Sequence, residues 1–272
     1  MKIKKKIIIL GSTGSIGKSS LNVIKNYPNK VKIVCLSSNK NFKKLYKQSK
    51  YFNVKNLIIN DNDAFKKAQK FIKNKQIQLF PNLSEYLKKN TIKIDLTIIG
   101  ISGFDGLDPS LKIIPYTKTL ASANKESIIS GWKFIKRKLM KYKTNFIPID
   151  SEHFSAWSLM KNDEHLISKI YLTASGGPFI NSTKDKLKQI KIKNVINHPN
   201  WSMGKKISTD SASMMNKVFE VIEASKIFNL KTKKIKIIIH PKSLIHAIVV
   251  FNNGIIKFLM HDTSMEIPLF NV

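Results

Sequence analysis

Short apolar runs alternate along the first half of the chain with stretches whose apolar residues recur at helical spacing. Residues 5–10 read as a strand, 17–26 as a helix and 31–37 as a second strand. Further strand-like runs at 56–59 and 96–100 are separated by helical stretches such as 63–74 and 84–90. Residues 119–121 and 145–149 read as two more strands flanking a helix from about 125 to 141. This alternation predicts an α/β fold, a doubly wound parallel sheet with helices on its faces. After Asp150 the pattern changes. Residues 167–174 and 235–250 read as strands, 211–228 as one long helix, and 175–182 and 197–206 as loops rich in Gly, Pro and Asn. The expectation is therefore two domains, 1–149 and an α+β domain at 150–272, joined at a continuous strand end.

Composition narrows the class. The chain has 272 residues, 42% of them apolar, which is enough for a sizeable core and too many for disorder. Its single cysteine excludes a disulfide framework, and Cys35 lies in an apolar run where core packing is its expected role. The 48 Lys+Arg against 17 Asp+Glu give a net charge of +31, which alone suggests a polyanion partner. Arg137, however, is the only arginine. Specific phosphate and guanine recognition favours arginine's planar fork, whereas lysine here is scattered with Ile and Asn, as AT-rich coding produces. No specific nucleic-acid partner is expected, only salt-sensitive sticking. No run approaches the ~20 apolar residues of a membrane span. Residues 1–10 start basic, but the apolar stretch 7–10 is too short for a signal peptide, so a soluble cytoplasmic protein is expected.

Two patterns carry chemistry. Gly11-Ser-Thr-Gly14-Ser-Ile-Gly17 follows the first strand and opens the first helix, where glycines permit a tight turn and close approach to a pyrophosphate. This makes the first domain Rossmann-like. The second strand ends in Ser37-Ser-Asn-Lys40-Asn41 with no acid for a ribose 2′-hydroxyl; Ser37, Ser38, Lys40 and Asn41 could instead hold a 2′-phosphate, favouring NADP over NAD. Asp150-Ser151-Glu152, read as a strand end, directs two carboxylates to one side. Adjacent acids repel unless a cation joins them. Glu220 on the later helix could add a third oxygen ligand for Mg²⁺ or Mn²⁺, and Asn216, Lys217 and Glu220 lie close to one helical face.

At these residues the chain resembles the 1-deoxy-D-xylulose-5-phosphate reductoisomerase family. The resemblance runs through the Gly11–Gly17 motif, Ala123-Asn-Lys-Glu-Ser127, Pro148-Ile-Asp-Ser-Glu-His153, Ala174-Ser-Gly-Gly-Pro-Phe179, His198-Pro-Asn-Trp-Ser-Met-Gly204, Asp210-Ser-Ala-Ser-Met-Met-Asn-Lys217 and His240-Pro-Lys-Ser-Leu-Ile-His246. It implies NADPH- and divalent-metal-dependent isomerisation and reduction of 1-deoxy-D-xylulose 5-phosphate to 2-C-methyl-D-erythritol 4-phosphate, in isoprenoid biosynthesis. It implies a Rossmann NADP-binding domain, a central catalytic domain that also pairs two copies as a homodimer, and no membrane. By this resemblance Asp150, Glu152 and Glu220 are the metal ligands. Ser175, Ser211, Asn216 and Lys217 form the substrate-phosphate pocket with His198 nearby, Lys125 and Ser151 are substrate-side positions, and Trp201 and Met203 belong to a mobile lid. Lys125, His198 and Lys217 join the metal ligands as catalytic residues. Thr13, Gly14, Ser15, Ile16, Lys40, Asn41, Asn124 and Glu126 match the NADPH-contacting motifs.

Departures from the family pattern are Phe154 and Ser158, where Asn and Gln are common, and Asn39 in place of a Gly. They bear on packing and on the geometry of the cofactor loop. Family members continue for about another hundred residues as a C-terminal helical domain, so the expectation is a fragment or a truncated gene. An inactive remnant that still binds NADP is the alternative to an active enzyme. A polyanion-binding protein and an NADP dehydrogenase of another family rank behind both.

Overall fold

The computed structural model describes residues 4–160, 166–196, 201 and 204–272. Contacts divide the chain into two compact units, one of residues 1–148 with 269–272 and one of residues 149–268. The last four residues thus pack with the first unit, where the Phe270 ring meets Tyr27 at 5.5 Å.

The first unit holds seven strands: β1 (Lys5–Leu10), β2 (Val31–Ser38), β3 (Asn56–Ile59), β4 (Gln78–Phe80), β5 (Ile94–Ile99), β6 (Thr117–Ser122) and β7 (Asn145–Pro148). Its helices are α1 (Ser15–Lys25), α2 (Phe42–Tyr51), α3 (Asn62–Phe71), α4 (Leu83–Lys89), α5 (Leu107–Ile113) and α6 (Lys125–Tyr142). Every pairing is parallel, in the order β4-β3-β2-β1-β5-β6-β7. Ile7 to Leu10 are all buried, as a strand covered on both faces requires, which is why the run has no polar alternation. The order reverses direction between β1 and β5, so the loop after β1 opens at the switch point of the sheet. Cys35 lies in this core, where burial pushes its thiol pKa up and leaves it inert.

The second unit begins with α7 (Ser151–Met160) and β8 (Ile167–Ala174). Two short helices follow, α8 (Lys184–Lys188) and α9 (Ile192–Val195), then α10 (Lys205–Ala212) and α11 (Met215–Ile227). Strands β9 (Ile235–Ile239), β10 (Ile245–Phe251) and β11 (Ile256–Met260) complete a sheet of order β11-β10-β8-β9, and α12 (Glu266–Phe270) ends the chain. β8 pairs parallel with β9 and antiparallel with β10. One sheet face is buried: Leu172, Ala247, Val249 and Phe251 cluster with Ala156 and Met160 of α7 and Ala224 of α11. Each large side chain buried there contributes roughly 1.5–3 kcal/mol. Register places Tyr171, Ile248 and Phe258 together on the other face, alongside Val250 and Ile256. Ile256, Phe258 and Met260 are 60–62% exposed there.

Three expectations about elements are corrected. The single helix at 211–228 is two helices. Ser213 turns its hydroxyl back to the carbonyls of Thr209 and Asp210, competing with helix continuation, and Met214 takes a left-handed φ of 60° before α11 starts. The single strand at 235–250 is β9 and β10, split by a turn at His240–Leu244 where Pro241 cannot supply a ladder N–H. The strand expected to run through Asp150 stops at Pro148, and Ser151 opens α7, an element the apolar pattern did not predict.

Candidate active site

In the second unit, Asp150 lies in the turn between β7 and α7, Glu152 in the first turn of α7, and Glu220 in α11. One oxygen from each lies within 4.8 Å of the others. Strand alternation therefore does not align Asp150 and Glu152; a strand-to-helix turn does. The turn before α7, α7 itself and α11 each supply one ligand.

The inward stripe of α11 explains why. Its buried residues are Lys217, Glu220, Glu223 and Ala224, at i, i+3, i+6 and i+7, while Val218 is half exposed. Lys217 Nζ donates to Glu220 Oε2 at 2.6 Å and to Glu152 Oε1. Burial opposes its charge, but the Glu152 and Glu220 carboxylates outweigh that and hold the ammonium pKa above the ordinary lysine value. Asn216 Nδ2 donates to Glu220 Oε1 at 2.5 Å. The three carboxylates form an all-oxygen donor set, which fits a hard divalent cation.

Ser175, Gly176, Ser211, Asn216 and Lys217 line one small cleft beside this cluster. Ser151 is buried at the start of α7. Trp201 is half-buried, its ring edge-on to His246 at 5.9 Å and 74°, and His246 stacks on His261 at 3.7 Å. His198 and Met203 lie outside the described residues.

In the first unit, the β1–α1 loop is shaped by its glycines and tied down by side chains. Gly11 has φ +85°, and a Cβ there would meet the Gly100 carbonyl at 2.7 Å; one on Gly17 would meet Ser12 Cα at 2.4 Å. The Gly11 N–H donates to Ser37 Oγ at 2.8 Å, Ser12 Oγ donates to Gln48 Oε1 at 2.8 Å, and Gln48 Nε2 returns to the Ser12 carbonyl at 2.9 Å. Gly14 and Ser15 are left exposed at the mouth of α1, with Thr13 and Ile16 half-buried. A cleft of about 390 Å³ opens beside the loop, lined by Leu10, Ser37, Ile58, Asn60, Ile101 and Phe104 among others. The reading of Ser37 and Ser38 as phosphate ligands is corrected: both are 2% exposed, and Ser37 is occupied with the Gly11 amide. Lys40 remains 77% exposed, 3.8 Å from Asp61, and Asn41 caps α2 by accepting the Lys44 N–H. Asn124 Oδ1 accepts the Ser127 N–H to cap α6, and its Nδ2 donates to the carbonyls of Ile101 and Gly103. Lys125, 8% exposed, and Glu126 follow in the first turn.

The sequence matches two family profiles, 1-deoxy-D-xylulose 5-phosphate reductoisomerase over residues 7–131 and the C-terminal domain of the same enzyme over 146–228. It is 57% identical over 270 residues to the 1-deoxy-D-xylulose 5-phosphate reductoisomerase of Pelagibacter ubique, covering 98% of this chain and 70% of that protein. The Wolbachia pipientis enzyme from Culex pipiens is 38% identical, over 97% of this chain and 68% of its own length. The chain belongs to the 1-deoxy-D-xylulose 5-phosphate reductoisomerase family. Among solved structures, a DOX-P reductoisomerase in complex with NADPH, fosmidomycin and magnesium superposes with a TM-score of 0.91 at 30% identity, over 97% of this chain and 68% of that one. The reductoisomerase of Zymomonas mobilis in complex with NADPH gives 0.88 at 30% identity, over 98% and 69%.

In the second unit the structure brings together Asp150, Ser151, Glu152, Ser175, Ser211, Asn216, Lys217 and Glu220. Sequence reasoning missed two residues behind the cluster. His153 and Glu223 are both fully buried. The i, i+3, i+6 spacing of Lys217, Glu220 and Glu223 was a readable signal, because a helix seldom turns three charges inward without a use for them.

Proposed function

We propose that the protein converts 1-deoxy-D-xylulose 5-phosphate to 2-C-methyl-D-erythritol 4-phosphate, with NADPH as reductant and Mg²⁺ or Mn²⁺ as the metal. The observation that carries this reading is the convergence of three carboxylates and one buried ammonium on an oxygen-only cluster beside a cleft of hydroxyl, amide and ammonium groups. Residues 1–149 act as the NADP-binding domain and 150–272 as the catalytic domain.

Asp150, Glu152 and Glu220 would hold the ion, which when bound polarises a carbonyl oxygen and stabilises a developing alkoxide or enolate while a carbon-carbon bond breaks and re-forms. Lys217 keeps Glu152 and Glu220 turned toward one point and presents its remaining charge to the substrate. Ser175, Ser211 and Asn216 hydrogen-bond the substrate phosphate, which anchors the substrate away from its reacting carbons. Ser151 contacts the substrate, and Trp201 shields it from water. In the first unit, the Gly14 N–H turns back to the Gly11 carbonyl at 3.1 Å, and the amides of Thr13, Ser15 and Ile16 at the start of α1 would face the pyrophosphate, with Lys40 and Asn41 taking the adenosine 2′-phosphate and Asn124 and Glu126 bordering the nicotinamide end. NADPH supplies the hydride that reduces the rearranged aldehyde.

The apolar face on which exposed Ile256, Phe258 and Met260 flank half-buried Ile248 and Val250 supports a homodimer joined through the second sheet. No helix among the described residues is long and apolar enough to cross a membrane. Incubation of the purified protein with substrate, NADPH and Mn²⁺ tests the activity. NADPH should be consumed with formation of methylerythritol phosphate, and chelator should stop it. Consumption that continues in chelator would refute the metal centre. Light scattering should give twice the chain mass, and Phe258→Glu should reduce it to one.

A further inference from the structure

Glu223 is a fully buried carboxylate on α11, outside the cluster of Asp150, Glu152 and Glu220, and the function proposed above gives it no task. A buried carboxylate is costly unless it is paired. Its partner is His153, also fully buried, whose Nδ1 lies 3.5 Å from Glu223 Oε2 and 3.4 Å from Asp150 Oδ1. On the far side of the same ring, Nε2 lies 3.0 Å from the backbone carbonyl of Glu220. A carbonyl only accepts, so Nε2 carries a hydrogen and the ring orientation is fixed. Phe228 stacks on the ring at 6.4 Å and 27°, closing off rotation.

With the ring held this way, its other nitrogen faces two carboxylates at once. Nδ1 thus stands between them, 3.5 Å from Glu223 on one side and 3.4 Å from Asp150 on the other. We propose that His153 and Glu223 form a positioning pair that sets the Asp150 carboxylate for the metal: Glu223 orients the ring, and the ring orients the ligand. The pair also joins the turn before α7 to α11 through side chains, since His153 touches the Glu220 backbone while its Nδ1 faces Asp150. Metal ligands commonly depend on outer partners of this kind for orientation.

This inference rests on the metal-centre reading, so the test separates the two. Mn²⁺ binding to the purified protein, without substrate or NADPH, is measured from the electron paramagnetic resonance signal of the free ion. Binding by the wild type and its loss in Asp150→Asn test the metal centre. Glu223→Gln tests the pair: its Mn²⁺ Kd should rise about tenfold, with one ion still bound and NADPH affinity unchanged. His153→Asn, whose amide reaches the place of Nδ1, should bind Mn²⁺ more tightly than His153→Gln, whose amide reaches the place of Nε2. This comparison decides the matter if Glu223→Gln does not fold. An unchanged Kd in Glu223→Gln would overturn the proposal. So would a complete loss of binding there, which would make Glu223 a ligand, or equal affinities in the two His153 variants.

Discussion

In the β1–α1 loop of the first unit, side chains point inward to hold a backbone. Ser12, Ser37 and Gln48 spend their hydrogen bonds on the loop, which leaves the chain at Gly14 and Ser15 open. The acid cluster of the second unit reverses this arrangement. There Glu152 and Glu220 sit on ordinary helix with Asp150 in the turn before α7, and the side chains of Lys217 and Asn216 hold other side chains in place. A site built from main-chain amides tolerates changes in its side chains but no added Cβ. One built from charges tolerates backbone variation and no lost carboxylate. The two units should therefore fail in different ways, under different substitutions.

The largest effect is expected where charge does the binding. Asp150→Asn or Glu220→Gln should lower kcat by about 10³-fold or more, with NADPH affinity unchanged by titration of cofactor fluorescence. A parallel loss of NADPH affinity would show that the sites do not fail separately. Next comes the backbone-built loop. Gly17→Ala places a methyl 2.4 Å from Ser12 Cα. It should destabilise the protein by about 3 kcal/mol in denaturant titrations and weaken NADPH binding, while Mn²⁺ binding survives. A smaller change is expected from Lys40→Asp, the exposed side chain beside the loop: the preference for NADPH over NADH should shrink about tenfold, or 1.4 kcal/mol. A variant that keeps its preference would leave discrimination to the loop amides alone.

The smallest effect is a pH dependence. Burial lowers the pKa of His246 from its ordinary 6.5, Glu152 opposes the shift, and the stacked His261 adds to it. The folded protein then binds fewer protons at His246 than the unfolded chain does, so its stability contribution is lost as pH falls below 6.5. His246→Gln should flatten that part of the stability profile. A profile unaltered by the substitution would assign the slope to other groups.

The same contrast governs what could be read from the sequence. The glycine loop was legible because only glycine meets the demands at Gly11 and Gly17, so the requirement is written in residue type. The parallel sheet was legible because buried strands lose polar alternation. β4 was not, at three residues. β11 has a legible mark in Asn252-Asn253-Gly254, a hairpin signal just before it. Spacing pointed to the acid cluster and named its members, but through a strand geometry that does not exist, since Asp150 and Glu152 meet around a helix start. α11 was hardest, because its apolar residues suggest one buried face and its charged residues occupy the real one. Seeing that requires knowing that α7 carries the other half of the cluster, sixty-odd positions earlier in the chain.

That division of the cluster between two helices has a thermodynamic consequence. α7 and α11 cover the same face of the second sheet, and ligands from the first end of one and the middle of the other would share a single ion. An ion bound there is a crosslink whose strength depends on its concentration. By mass action the folded unit gains about 2.7 kcal/mol at a free metal concentration one hundred times Kd, and little when the ion is scarce. The melting temperature of this domain would thus report the metal supply around it, rising with each added increment of Mg²⁺ or Mn²⁺ before any substrate is present.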